Sequence, residues 1–404
     1  MRIRSISTLP VTNPRPMVGG PLWVFVRVET DEGLVGYGEL FANALAWRPW
    51  RISQLVDELG TDLLIGHDVY DTEALSWKIY NCRYSHVSDM TKAAAASGIE
   101  MACWDIIGNA QGVPVYKLFG GKMRDVIRSY SYLYPTEESG QELGKFWQNP
   151  ELASERALNY MDMGFTAIKL DPVPSLNDFN NHSGQVVPVQ LSLEALDRAE
   201  ATVAALRDVV GNRCDLIVGT HGQMSPAGAI RLAKRLEPYE PLWLEEPVPP
   251  ELADEMAKVA RATTIPITAG ERLTSKWEFA RLARADAVAI FNLDVSVVGG
   301  LQEAQKIAAL AEANYIQVSP HVYGGPLVAA ASIQLSLCLP NFLILEVNET
   351  YDGIYRELLD VPIEWRRGWI TPSERPGLGH SLNEEIARSL APEWHTDRSR
   401  RGPV

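Results

Sequence analysis

The sequence predicts an eight-stranded (β/α) barrel preceded by a smaller α+β unit. Two observations carry this expectation. From Gly121 to about residue 350, short apolar runs alternate with amphipathic stretches, the rhythm of parallel strands joined by helices. Before Gly121 the pattern is instead a β-hairpin followed by a helical stretch, which is an α+β order. A chain of 404 residues leaves room for both units, since a barrel of this kind takes about 250.

The elements follow in order. Leu22 to Glu29 (LWVFVRVE), the turn signal Asp31-Glu32-Gly33 and Leu34 to Leu40 read as an antiparallel hairpin. From Trp47 to Gly112 the pattern is helical, and Met90 to Gly112 sets Ile99, Cys103, Ile106 and Ile107 at helical spacing before a terminal glycine. Barrel strands are expected at Val126–Tyr134, Ala167–Asp171, Asp215–His221, Pro241–Glu246, Pro266–Glu271, Ala287–Asp294, Tyr315–His321 and Phe342–Val347. Helices are expected at Ser192–Val210, Ala227–Leu236, Glu251–Ala262 and Leu301–Ala313. Right-handed crossovers close eight such strands into a ring. A doubly wound open sheet competes, but no strand leads into a Gly-rich phosphate loop. The domains are then 1–124, 125–350 and a segment 351–404 folding back onto the first, with a polar, Arg-rich tail from Thr396.

Composition narrows the function. Lys and Arg number 37 against 51 Asp and Glu, and the net charge of −14 opposes binding to nucleic acid or to anionic lipid. No apolar run has the length of a membrane span, and MRIRSISTLPVT has no apolar core of a secretory signal. Cys82, Cys103, Cys214 and Cys338 form no CxxC pair, so a cytoplasmic protein with free thiols is expected. A small anionic substrate would need local positive charge or a metal.

In such a barrel the active site lies at the carboxyl ends of the strands. Here those ends carry Lys169, His221, Glu245-Glu246, Glu271-Arg272, Asp294 and His321, and the eighth strand carries Glu346. One such residue would be an ordinary surface carboxylate or helix cap; so many together are not. Glu245 and Glu271 on neighbouring strands suit a hard cation such as magnesium, with Glu246 as a partner behind them. Proton abstraction beside a carboxylate builds an enediolate, which needs positive charge already aimed at it. His321 with Asp294 makes a plausible base, the carboxylate fixing the tautomer. A protonated Glu346 could hydrogen-bond an enediolate oxygen. Lys169 could bind a carboxylate or serve as a second base.

Five segments bear a family resemblance: Leu22–Leu40, Ala94–Arg124, LWLEEP at Leu242–Pro247, Gly270-Glu271-Arg272 and SPHVYGGP at Ser319–Pro326. They resemble the mandelate racemase branch of the enolase superfamily, and within it the galactonate and mannonate dehydratases. The resemblance implies a modified TIM-type barrel under an α+β capping domain, and a homo-oligomer. It further implies Glu245 and Glu271 as Mg2+ ligands, His321 as base oriented by Asp294, Glu346 as enediolate partner, and His221 as the acid on the departing hydroxyl of a sugar acid. One departure stands out, because the family's first ligand, an Asp two residues before His221, is Gly219 here. Three readings follow: Asp171 leans across as the third carboxylate, His221 becomes a ligand, or the metal binds weakly or not at all.

The expected reaction is dehydration of a sugar acid to a 2-keto-3-deoxy acid. The alternatives are a racemase, epimerase or cycloisomerase working with Lys169 opposite His321, and a non-catalytic sugar-acid-binding protein. Trp47, Trp50 and Pro14–Pro21 resemble capping loops that close over substrate or simply pack, and Gly299-Gly300 is a weak candidate anion site. His86, His182, His380 and His395 are expected to be structural.

Overall fold

In the computed structural model the structure describes residues 1–45, 49–82, 86–136, 143–173 and 190–396. Trp47, His182 and the tail beyond Thr396 therefore lie outside the described residues.

Strands β1 (Ile3–Thr12), β2 (Leu22–Thr30) and β3 (Val35–Leu40) form an antiparallel sheet. The helix Met90–Gln111 lies across it, started by the Asp89 side chain on Lys92 N and stopped by left-handed Gly112. Its close approach depends on small residues, because a Cβ at Gly38 would collide with the carbonyl of Gly98.

Eight parallel strands follow: β4 (Ile127–Tyr132), β5 (Ala167–Leu170), β6 (Asp215–Gly219), β7 (Trp243–Glu245), β8 (Ile267–Ala269), β9 (Ile290–Phe291), β10 (Gln317–Val318) and β11 (Leu345–Val347). Each of β4 to β9 pairs with the next, and β11 pairs with β4. A parallel bridge from Val318 to Phe342 completes the ring. The TIM-type barrel and its capping sheet are thus as expected. The helices Leu193–Val210, Pro226–Leu236, Ala253–Ala262 and Leu301–Ala313 fall within two residues of their predicted bounds.

All but the last of these strands stop earlier than predicted, and the reason is local. At their carboxyl ends the backbone leaves the ladder: His221 and Glu246 take φ of 50° and 40°, and Gly270 takes 151°. Left-handed non-glycine residues are strained, and such strain clusters at functional sites.

After β11 the chain adds β12 (Glu364–Arg366) and β13 (Trp369–Thr371), which runs antiparallel to β4. It then crosses to the capping sheet, where Glu384 binds Arg27 and Tyr37 and Leu390 O accepts from Thr12 N. Three buried carboxylates bind the cap to the rest. Glu39 on β3 accepts the amides of Gly325, Leu327 and Val328 at the start of the helix Pro326–Cys338. Glu100 accepts those of Leu301 and Gln302, and Asp105 those of Leu378 and Tyr37. The weak candidate anion site at Gly299-Gly300 is thus taken up by the chain itself, with Glu100 on the amides of Leu301 and Gln302 and Ser97 Oγ on that of Gly299.

Among the described residues no helix is long and apolar enough to cross a membrane, and the four cysteines are free thiols.

Candidate active site

Side chains alternate along a strand, so residues two apart share a face. One buried layer joins Tyr130, Ala167, Ile217, Trp243, Ile290 and Ile344 from six positions around the ring. Two residues further along the same strands stand Tyr132, Lys169, Gly219, Glu245, Asn292 and Glu346. An apolar floor thus carries a polar storey, and the ionisable residues singled out from the sequence occupy it or the turns just beyond.

On one side of the mouth stands His321, whose Nδ1 lies 2.7 Å from Asp294 Oδ2. The other Asp294 oxygen accepts from Ser296 N and Oγ, so the carboxylate is fixed before it fixes the ring. His321 Nε2 faces Glu271 Oε2 at 3.5 Å and Glu346 Oε2 at 4.0 Å. Burial would lower the imidazolium's pKa, but Glu271, Glu346 and Asp294 outweigh it and raise it to about 10.

Lys169 is fully buried and is no rim lysine. Its Nζ lies 2.5 Å from Glu245 Oε1 and 3.6 Å from Glu346 Oε1, over the Tyr132 ring at 4.6 Å. Burial alone would lower its pKa, yet Glu245, Glu346 and Glu271 hold it above the usual lysine range. Its carboxylate neighbours thus favour the charged ammonium. Near the oxygens of Glu346 stand the Lys169 ammonium at 3.6 Å and the Val322 amide at 3.4 Å.

Opposite, His221 Nδ1 lies 2.6 Å from Asp171 Oδ2, and Asp171 Oδ1 accepts from Tyr132 OH at 3.2 Å. Burial works against the charged ring, but Asp171 raises it to about 9. Arg272 Nε lies 3.1 Å from Glu246 Oε2 and 3.5 Å from Glu271 Oε1. Burial would raise the Glu271 carboxyl, but His321, His221, Arg272 and Lys169 bring it well below the carboxylate range. Glu246, fully buried beside Arg272, is pushed up by burial to about 8. A cleft lined by His221, Arg272 and Arg281 opens alongside.

A hard cation can be tested against this donor set. Glu245 and Glu271 fit it in kind, being carboxylates on adjacent strand ends, the first buried and the second largely so, that press on one another. The third expected ligand, Asp171, sets one oxygen on His221 Nδ1 and accepts from Tyr132 OH with the other. Among the described residues no three His, Cys, Asp or Glu side chains gather as an ion site.

The sequence reading passed over Tyr132, Trp243 and Asn292. Trp243 Nε1 donates to Glu245 Oε2 at 2.9 Å, and buried Asn292 has no hydrogen bond at either amide atom. Period-two alternation from Tyr130 and Glu245 would have found the first two. The expected structural histidines lie elsewhere: His86 Nδ1 is 2.9 Å from Asn81 Oδ1, and His380 Nδ1 is 2.7 Å from Val361 O. The loop at Pro14–Pro21 is clasped by Asn13 on Val18 O and Gly20 O, and by Trp23 on Gly19 O. Tyr355 OH bridges it to Gly324 O, while Trp50 packs 6.5 Å from Trp394.

Comparison with known proteins agrees with this architecture. The mandelate racemase/muconate lactonizing enzyme N-terminal domain matches residues 4–120, and the enolase C-terminal domain-like family matches 152–386. D-galactonate dehydratases of Ralstonia pickettii and Pectobacterium atrosepticum are 35% and 34% identical over 386 residues, 93% of each chain. A solved mandelate racemase/muconate lactonizing enzyme from Jannaschia sp. is 37% identical, with a TM-score of 0.90 over 97% of this chain and 98% of its own. Members of this superfamily typically use Mg2+. On these grounds the chain is a member of the mandelate racemase/muconate lactonizing enzyme family of the enolase superfamily.

Proposed function

We propose that this chain is a sugar-acid dehydratase. It removes the proton α to a carboxylate, expels the β-hydroxyl as water and leaves an enol that tautomerises to a 2-keto-3-deoxy acid. The observation that carries this reading is His321, held by Asp294 at 2.7 Å on one side of the mouth, with a second histidine on the opposite side. The dehydratase relatives support it and make D-galactonate the first acid to try.

In this reading His321, once deprotonated, takes the α-proton, and Asp294 keeps Nε2 toward the substrate. Glu346 would meet the forming enediolate, and the Lys169 ammonium, 3.6 Å from Glu346, would supply positive charge to it in a buried site. His221 gives its proton to the leaving hydroxyl. Glu245 and Glu271 would hold Mg2+, which would supply further positive charge toward the substrate carboxylate. The isomerase alternative with Lys169 as second base is disfavoured by the carboxylates that keep that ammonium charged. Residues 1–124 as cap, 125–350 as barrel and 351–404 as returning segment belong to the same proposal, as does a cytoplasmic homo-oligomer.

Incubation with a panel of aldonic and aldaric acids, followed by assay for 2-keto acid, tests the reading. Keto acid from at least one member is expected. No product from any member, with bound acid detected by calorimetry, would turn it toward a binding protein.

A further inference from the structure

Gly219 looks like a loss, because the family's aspartate is absent. The packing around it says otherwise. A Cβ built at Gly219 would fall inside the contact distance of Asp171 Oδ1 and 2.9 Å from Tyr132 OH. Any side chain at 219 would therefore displace the carboxylate that now rests on His221. The missing side chain is what makes room for the bond.

We infer that Asp171 is the positioning residue of His221, so that the site holds two histidine–aspartate pairs facing each other across the barrel, with Gly219 as the vacancy that permits the second. Three features support this. His221 follows β6 and His321 follows β10, the third and seventh strands of a closed ring of eight, which are diametrically placed. The two Nδ1–carboxylate distances are nearly equal, 2.6 Å and 2.7 Å. In both pairs the aspartate's second oxygen is anchored, by Tyr132 OH for Asp171 and by Ser296 for Asp294.

The chemical consequence rests on the proposed dehydration. With Nδ1 on Asp171, Nε2 of His221 is the atom left to face the substrate. The proton it gives goes to the departing hydroxyl, the β-carbon–oxygen bond breaks with its electrons on that oxygen, and water leaves. The proton taken by His321 returns to solvent and His221 regains one from it, so the balance needs no further reactant. Proton removal belongs to one pair and proton delivery to the other.

Asp171→Asn and Gly219→Ala separate the two halves, the second because it moves Asp171 without changing it. With the panel acid that the unaltered chain dehydrates fastest, both variants should lose about 10²-fold in kcat with KM little changed. In D2O, recovered substrate should gain α-deuterium, because His321 still removes the proton. Equal loss of exchange and dehydration, or unchanged dehydration in either variant, overturns the inference. So does a tenfold drop in Mg2+ affinity by calorimetry in Asp171→Asn, which would make Asp171 a ligand.

A substrate-free reading keeps the inference separate from the proposed function. With 15N-histidine labelling, the Nδ1 proton of His221, assigned by its disappearance in His221→Asn, should lie far downfield and move upfield in both variants. An unmoved signal overturns the pairing even if every acid tried is inert.

Discussion

The barrel mouth and the seam between cap and barrel both bury carboxylates, but they satisfy them differently. At the seam, Glu39, Glu100 and Asp105 receive backbone amides, mostly at the first turns of helices, where donors are unpaired and the helix dipole favours an anion. At the mouth, Glu245, Glu271, Glu346 and the two histidine-bound aspartates face side-chain cations. A backbone amide cannot give up its proton or swing away, whereas an imidazolium can release its proton and side-chain cations can turn toward a newcomer. One region is built to stay as it is, and the other is built to change partners.

Substitutions can break that contrast. The largest effect is expected from His321→Asn, which should abolish dehydration and α-deuterium exchange together, by about 10²–10⁴-fold. His221→Asn should lose dehydration to a similar degree and keep exchange, and rates from NMR in D2O check both. Lys169→Met leaves Glu245 and Glu346 buried without their cation. It should lower stability by about 3–5 kcal/mol in urea unfolding, as for other broken buried pairs.

At the seam the effects are smaller. Glu100→Ala orphans two amides and the Trp104 indole N–H, and should cost about 2–3 kcal/mol with kcat nearly unchanged. The smallest effect is one of pH. Burial outweighs the three amides on Glu39 and raises its pKa from 4.5 to about 7. The folded state therefore binds the extra proton, and stability falls as pH rises from about 4.5 through about 7. Glu39→Gln should make the decline of the unfolding midpoint between pH 5 and pH 7.5 shallower, and a slope equal to that of the unaltered chain would refute this.

The two regions also differ in how far the sequence discloses them. The mouth was readable because strand ends in a barrel converge, so Lys169, His221, Glu245, Glu271, Asp294, His321 and Glu346 could be gathered without coordinates. The partner of Asp171 was not readable, since no spacing tells whether a carboxylate beside two possible neighbours turns to an ion or to a ring. The seam carboxylates lie inside the segments that carry the family resemblance, yet their task stayed hidden. A carboxylate docking on a distant helix end is a tertiary event, and residues 39 and 325 share no local pattern. The strands were predicted too long for a related reason, because apolar periodicity continues through turns where the backbone has already left the ladder at His221 and Glu246.

The collision between a side chain at position 219 and Asp171 reaches beyond catalysis to the order in which the two positions can be altered. Restoring aspartate at 219 alone sets two like charges in one space, so the change that looks like a repair should behave as an injury. Only an exchange made at both positions at once, with aspartate at 219 and asparagine at 171, carries the chain from one arrangement to the other without passing through a damaged intermediate.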